Sequence, residues 1–107
     1  MATDKMPNDS NQYMVDFTLP TQLTERFTSR IPEHRAKVNE YFTDGKLVTY
    51  AVSLEGGHVW AVFNAHSEDE VLSFINGLPL SRFMQYVISP LTFYNILTTN
   101  VPHFSVN

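Results

Sequence analysis

The 107-residue chain is 43% hydrophobic with a formal net charge of −4, a composition typical of a single acidic globular domain. Seven Lys and Arg residues form no basic cluster, which argues against a nucleic-acid or anionic-membrane partner. The absence of cysteine excludes disulfides and cysteine-based metal or redox chemistry. Because the sequence also shows no signal-peptide core and no apolar run long enough for a membrane span, we expect a cytoplasmic protein.

The first third of the chain predicts a tail, a strand and a short helical segment. Residues 1–11 are polar and aperiodic, which is typical of a disordered tail. Residues 12–19 alternate between apolar and polar positions, which predicts the first β-strand. Thr21 or Thr24 caps the helical segment that follows. Pro32 either kinks this helix or separates it from the next one.

The main helix is predicted from Glu33 onward and ends at Gly45, where a left-handed stop costs least. At 100° per residue its apolar stripe collects four side chains, namely His34, Val38, Tyr41 and Phe42. His34 stands out because it is ionisable. A helix N-terminus and burial both disfavour imidazolium, so we expect a neutral ring, as a structural histidine or as a proton-transfer group.

The second half predicts two strands, a helix and a last strand. Strands over residues 46–54 and 59–65 are joined by a tight hairpin at Gly56–Gly57. Ser67-Glu68-Asp69-Glu70 has the pattern of a capping box and starts the second helix. Residues 83–90 form the fourth strand.

This order of elements predicts an α+β fold of the ferredoxin-like βαββαβ type over residues 12–91. Its four-stranded antiparallel sheet carries two helices on one face. The other sheet face is also rich in apolar residues and therefore needs a cover. We expect a second copy there, giving a homodimer or higher oligomer built as a dimeric α/β barrel. Residues 92–107, an apolar and irregular C-terminal extension, are expected to pack on a neighbouring subunit.

The run Pro79-Leu80-x-x-Phe83-Met84 resembles the muconolactone delta-isomerase family. Further short motifs in the same order strengthen the resemblance over roughly residues 12–91: Ile31-Pro32-x-His34-Arg35, Val38-Asn39, Gly45-Lys46, Tyr50 and Trp60-x-Val62. The resemblance implies a ferredoxin-like protein that assembles through its sheets. It also implies an intramolecular isomerase of aromatic catabolism that moves a proton within an unsaturated lactone and needs no cofactor.

Such a proton shift needs a base, an oxygen-stabilising donor and a dry pocket. We assign catalytic roles to His34 as the base and to Asp16, which orients His34 or carries a proton. Substrate-binding roles are assigned to five residues: Arg35, Tyr50, Trp60, Asn64 and Tyr86. Their structural alternatives are core packing for the aromatic residues and a solvated surface position for the polar ones.

No metal site is expected, because the four histidines lack ligand spacing, and His58 and His66 are expected to be solvated. The partner is then a small-molecule ligand. Two alternatives to the isomerase remain open: a cofactor-independent oxygenase of the same barrel superfamily, and a non-catalytic binding or assembly protein. A pocket where polar side chains converge with His34 would favour an enzyme, and a fully packed His34 would favour a structural role.

Overall fold

A computed structural model describes residues 11–95, so most of the predicted tail (1–11) and C-terminal extension (92–107) lies outside the described residues. Asn11, predicted to belong to the tail, is the first residue of a strand. In the described range the chain forms the following elements: β1 (Asn11–Thr18), α1 (Glu25–Thr28), α2 (Ile31–Thr43), β2 (Leu47–Ser53), β3 (His58–Ala65), α3 (Glu68–Asn76) and β4 (Gln85–Pro90). A 3₁₀ turn at Ser81–Phe83 precedes β4.

The four strands form one antiparallel sheet in the order β2-β3-β1-β4. The central strand β1 pairs with both β3 and β4, so that Val15 lies opposite Ala61 on one side and Ile88 on the other. This strand order, with helices between β1 and β2 and between β3 and β4, is that of the ferredoxin-like α+β fold. The fold class predicted from the sequence is thus confirmed.

Alternation along the strands divides the sheet into two faces. Tyr13, Val15 and Phe17 of β1 belong to the hydrophobic core under the helices. The intervening side chains point to the other side of the sheet, because successive strand residues face opposite ways. We call this second side the open face, since the helices in the described part of the chain leave it uncovered. Its occupation by a second copy stays a prediction.

The start of the helical segment answers the two questions that the sequence left open. Thr24 is the N-cap of α1, since its hydroxyl accepts a hydrogen bond of 3.3 Å from the Phe27 N–H. Pro32 is the second residue of α2, where an absent N–H costs nothing. It therefore separates two helices and does not kink one.

Three of the four side chains on the predicted stripe of α2 are buried, namely His34, Val38 and Tyr41. Phe42 was also predicted on this stripe but is 41% exposed. It lies one residue past Tyr41 and so is turned about 100° around the helix axis, away from the sheet. Gly45 follows α2 with a φ of 74°, the left-handed conformation expected there.

The last strand begins later than predicted. Phe83 belongs to the 3₁₀ turn, and β4 starts at Gln85. Two backbone hydrogen bonds of 3.0 Å close this turn, from Phe83 N–H to the Leu80 carbonyl and from Met84 N–H to the Ser81 carbonyl. The turn keeps the Leu80 backbone beside α2, where its N–H contacts His34.

Candidate functional site

A pocket of about 300 Å³ opens on the helix-covered side of the sheet, between the helices and the β2–β3 hairpin. Its polar lining consists of His34, Arg35 and Tyr50. The remaining lining is apolar: Leu19, Leu23, Phe27, Ile31, Val52, Leu54, Val59, Leu80 and Met84. A small chamber with an apolar wall and few converging polar groups is typical of a site for a small organic molecule.

The local structure of β2 explains how Tyr50 reaches this pocket. Leu47 lies in the core, and strict alternation would turn Tyr50, three residues later, to the open face. A register shift between Leu47 and Thr49 adds one residue to the strand and restores the phase. Tyr50 and Val52 consequently both line the pocket.

Both ring nitrogens of His34 have partners inside the protein, and the residue is only 3% exposed. The Nε2 atom lies 2.7 Å from the hydroxyl of Tyr50. The Nδ1 atom accepts a hydrogen bond of 3.2 Å from the backbone N–H of Leu80. His34 is therefore held in one orientation at the wall of the pocket.

The His34–Tyr50 pair is electrically neutral at pH 7. Burial lowers the pKa of His34 to about 4, because the interior disfavours imidazolium. Burial also raises the pKa of Tyr50 to about 12, because it disfavours the phenolate. The pocket thus contains an uncharged imidazole bonded to an uncharged phenol.

The lowered pKa of His34 predicts that the free energy of unfolding falls on acidification. The unfolded chain protonates His34 below its ordinary pKa of 6.5, whereas the folded chain does so only near 4. The contribution of His34 to the free energy of unfolding is therefore fully present above pH 6.5. It decreases as the pH falls towards 4, and the decrease levels off below pH 4. The loss amounts to at most about 3 kcal/mol. Urea unfolding between pH 7.5 and 4 measures it.

The matched control is His34→Gln, which removes the titrating ring and leaves the other ionisable groups in place. The variant should show a shallower decrease of unfolding free energy over the same pH range. Identical pH dependence of the two proteins would show that His34 is not protonated preferentially in the unfolded state.

Arg35 is the charged residue that lines the pocket. It also lines a second depression of about 270 Å³, together with Asn39 and Tyr50. Arg30 lies 3.9 Å from Glu33, but within residues 11–95 no carboxylate forms a salt bridge with Arg35. The Arg35 guanidinium is thus available to a ligand carboxylate.

Asp16 does not contact His34. Its neighbours Val15 and Phe17 face the helices, so the Asp16 side chain lies on the open face. There its Oδ1 lies 2.7 Å from Nδ1 of His58. The expected role of Asp16 in orienting His34 within one subunit is therefore not supported by the geometry.

Three of the predicted binding residues also lie away from the pocket. Trp60 and Asn64 are on the open face, where the indole of Trp60 stacks on His58 with ring centroids 5.5 Å apart. Asn64 donates a hydrogen bond of 2.9 Å to the Gly45 carbonyl. Tyr86 lies on the helix-covered side but packs against Phe17, with centroids 5.9 Å apart. Of the predicted site residues, the structure brings together only His34, Arg35 and Tyr50.

Two contacts were not predicted from the sequence, one at the pocket and one on the open face. The backbone N–H of Leu80 contacts His34, which lies 46 residues earlier in the chain, and no local sequence pattern predicts such a contact. His58 was expected to be solvated in the hairpin turn but begins β3 and pairs with Asp16. Its position two residues before Trp60 was the available signal, because strand residues spaced by two share a face.

Comparison with known proteins adds to this geometry. Searched over the described residues, the chain shows no helix with the length and hydropathy of a membrane span. A search of curated proteins finds no match. The family model described as muconolactone delta-isomerase matches residues 12–95, which includes every residue of the pocket. The chain therefore belongs to the muconolactone delta-isomerase family.

Proposed function

We propose that the chain catalyses a cofactor-free proton shift in a small unsaturated lactone or carboxylic acid bound in the His34 pocket. Membership of the isomerase family supports this reaction class. The observation that carries the proposal is the neutral His34–Tyr50 pair, bonded at 2.7 Å in a pocket with an otherwise apolar wall. An apolar wall offers water few hydrogen bonds, and displacement of water by a bound substrate strengthens each polar interaction with it.

In this proposal His34 is the base that removes a proton next to the conjugated carbonyl and returns it to another carbon. Among the pocket-lining side chains it is the one whose neutral form has a basic nitrogen at pH 7. With its pKa lowered to about 4, His34 is a weak base in the empty pocket. An enolate forming beside the ring raises that pKa, because an adjacent negative charge favours imidazolium.

Tyr50 and Arg35 complete the proposed site. The Tyr50 hydroxyl donates a hydrogen bond to the carbonyl oxygen, which gains negative charge as the enolate forms. The Arg35 guanidinium, which belongs to a residue lining both depressions, binds a carboxylate of the substrate. The family match and the composition of the pocket both support a small ligand.

The proposal is tested by following candidate lactones in D₂O by proton NMR. With the full chain we expect catalysed deuterium incorporation and migration of the C=C bond. Val52→Trp should reduce the exchange rate by on the order of 10²-fold, because the indole occupies the space that orients the substrate. Val52→Thr, which keeps the side-chain volume, should retain most of the rate.

Three other outcomes would contradict the proposal. Lactone binding without exchange would make the chain a non-catalytic binding protein. Oxygen consumption with the same ligands would make it a cofactor-independent oxygenase. Exchange at the wild-type rate in both Val52 variants would place the reaction outside this pocket.

A further inference from the structure

The hydrogen bonds of His34 determine which of its two ring nitrogens carries the proton. A neutral imidazole has one N–H and one lone pair. The backbone N–H of Leu80 acts only as a donor, and it points at Nδ1 from 3.2 Å. Nδ1 must therefore hold the lone pair, and the ring proton lies on Nε2.

The Tyr50 hydroxyl consequently receives a hydrogen bond. The Nε2–H of His34 donates to the phenol oxygen over 2.7 Å. The opposite tautomer would set an Nδ1–H against the Leu80 N–H, two donors with no acceptor between them. Within residues 11–95 the Tyr50 hydroxyl has no other hydrogen-bond partner, so its own proton remains available to the pocket.

Arg35 does not accept a hydrogen bond from the Tyr50 hydroxyl either. A guanidinium offers N–H donors and no acceptor. The acceptors among the three polar side chains are the Nδ1 lone pair of His34, which Leu80 occupies, and the Tyr50 oxygen, which accepts from Nε2–H. The Tyr50 hydroxyl proton and the N–H groups of Arg35 therefore need an acceptor outside this group, which a ligand oxygen can provide.

We infer that the Leu80 backbone N–H selects the Nε2–H tautomer of His34 and makes Tyr50 a donor that requires a ligand oxygen. The favoured ligands are then molecules with an acceptor oxygen such as a carbonyl or carboxylate, and protonated amines of the same size are disfavoured because Arg35 carries the same charge. The inference about the ligand class rests on the proposed function of this pocket, whereas the inference about the tautomer does not. In the ligand-free chain His34 is a positioning residue for Tyr50. Its role as base requires the hydrogen bond from Leu80 to open during turnover.

The tautomer is tested without any substrate. Long-range ¹H–¹⁵N correlation spectra of the ¹⁵N-labelled full chain at pH 7 report which ring nitrogen of each histidine is protonated. The His34 signals are those missing from His34→Gln. We expect a protonated Nε2 and an unprotonated Nδ1. A proton on Nδ1, alone or together with Nε2, would overturn the inference even if the protein proves to be an isomerase.

The ligand class is tested with three five-membered rings of similar size: cyclopentenone, cyclopentene and cyclopentylamine. Chemical-shift titrations of the wild type should give a Kd for the ketone about five- to tenfold below that for the alkene, as expected for one hydrogen bond. The amine should bind most weakly. In Tyr50→Phe the ketone and the alkene should bind equally. Tighter binding of the amine, or an unchanged ketone preference in Tyr50→Phe, would overturn the assignment.

Discussion

Alanine in place of His34 is expected to lower kcat/KM by about 10²–10⁴-fold on any lactone that the wild type isomerises, the range typical of a lost general base. The other polar residues that line the pocket, Arg35 and Tyr50, have no unprotonated basic nitrogen at pH 7, so neither can replace His34 as the base. Steady-state kinetics with the full chain measures the change. The loss of two hydrogen bonds costs about 2–6 kcal/mol, so the folded state of the variant is checked by circular dichroism before the assay.

His34→Gln separates the two roles of the ring. A glutamine amide can still donate a hydrogen bond towards Tyr50, but it cannot accept a proton near pH 7. If His34 is the base, the glutamine variant should be as inactive as the alanine variant. Recovery of most of the wild-type rate by glutamine would limit His34 to the positioning of Tyr50.

Phe63→Ala is expected to reduce the free energy of unfolding by about 3–5 kcal/mol. Phe63 is fully buried in the central part of β3. Its ring meets Tyr41 of α2 at a centroid distance of 6.3 Å and Phe74 of α3 at 5.9 Å. One side chain therefore joins both main helices to the sheet, and truncation leaves a cavity between three elements.

Urea denaturation at a single protein concentration measures this loss, since self-association would make apparent stability depend on concentration. We also expect Tm to fall by more than about 10 °C. Leu54→Ala is the control, because Leu54 is 70% exposed. Its effect should stay within about 0.5 kcal/mol. A similar loss in both variants would contradict the central position of Phe63 in the core.

The elements were predictable because their signals are local. Period-two alternation marks β1, and the side chain of Ser67 caps α3 by accepting from the Glu70 N–H at 3.2 Å. Gly57 adopts a φ of 77° in the hairpin, as a tight turn between strands requires. These features depend on a few neighbouring residues, so they can be read along the chain.

The site was predictable only in part. His34 stood out as an ionisable residue on an apolar helix face, and its neighbour Arg35 lies at the same pocket. Asp16, by contrast, was expected near His34, although the alternation of β1 already turned it away from the helices. Strand alternation, and not the chemistry of the carboxylate, decides which side of the sheet Asp16 faces.

The sequence was sufficient for the ferredoxin-like order of strands and helices, the family and the candidate histidine, since these follow from patterns within single elements. The partners of His34 required the folded chain. Tyr50 reaches the ring through a one-residue irregularity in β2, and Leu80 does so through a 3₁₀ turn 46 positions away. Such contacts depend on the register and packing of distant segments, which no local pattern encodes. The contact with Leu80 places the ring proton on Nε2, and the hydroxyl proton of Tyr50 is then free for a ligand.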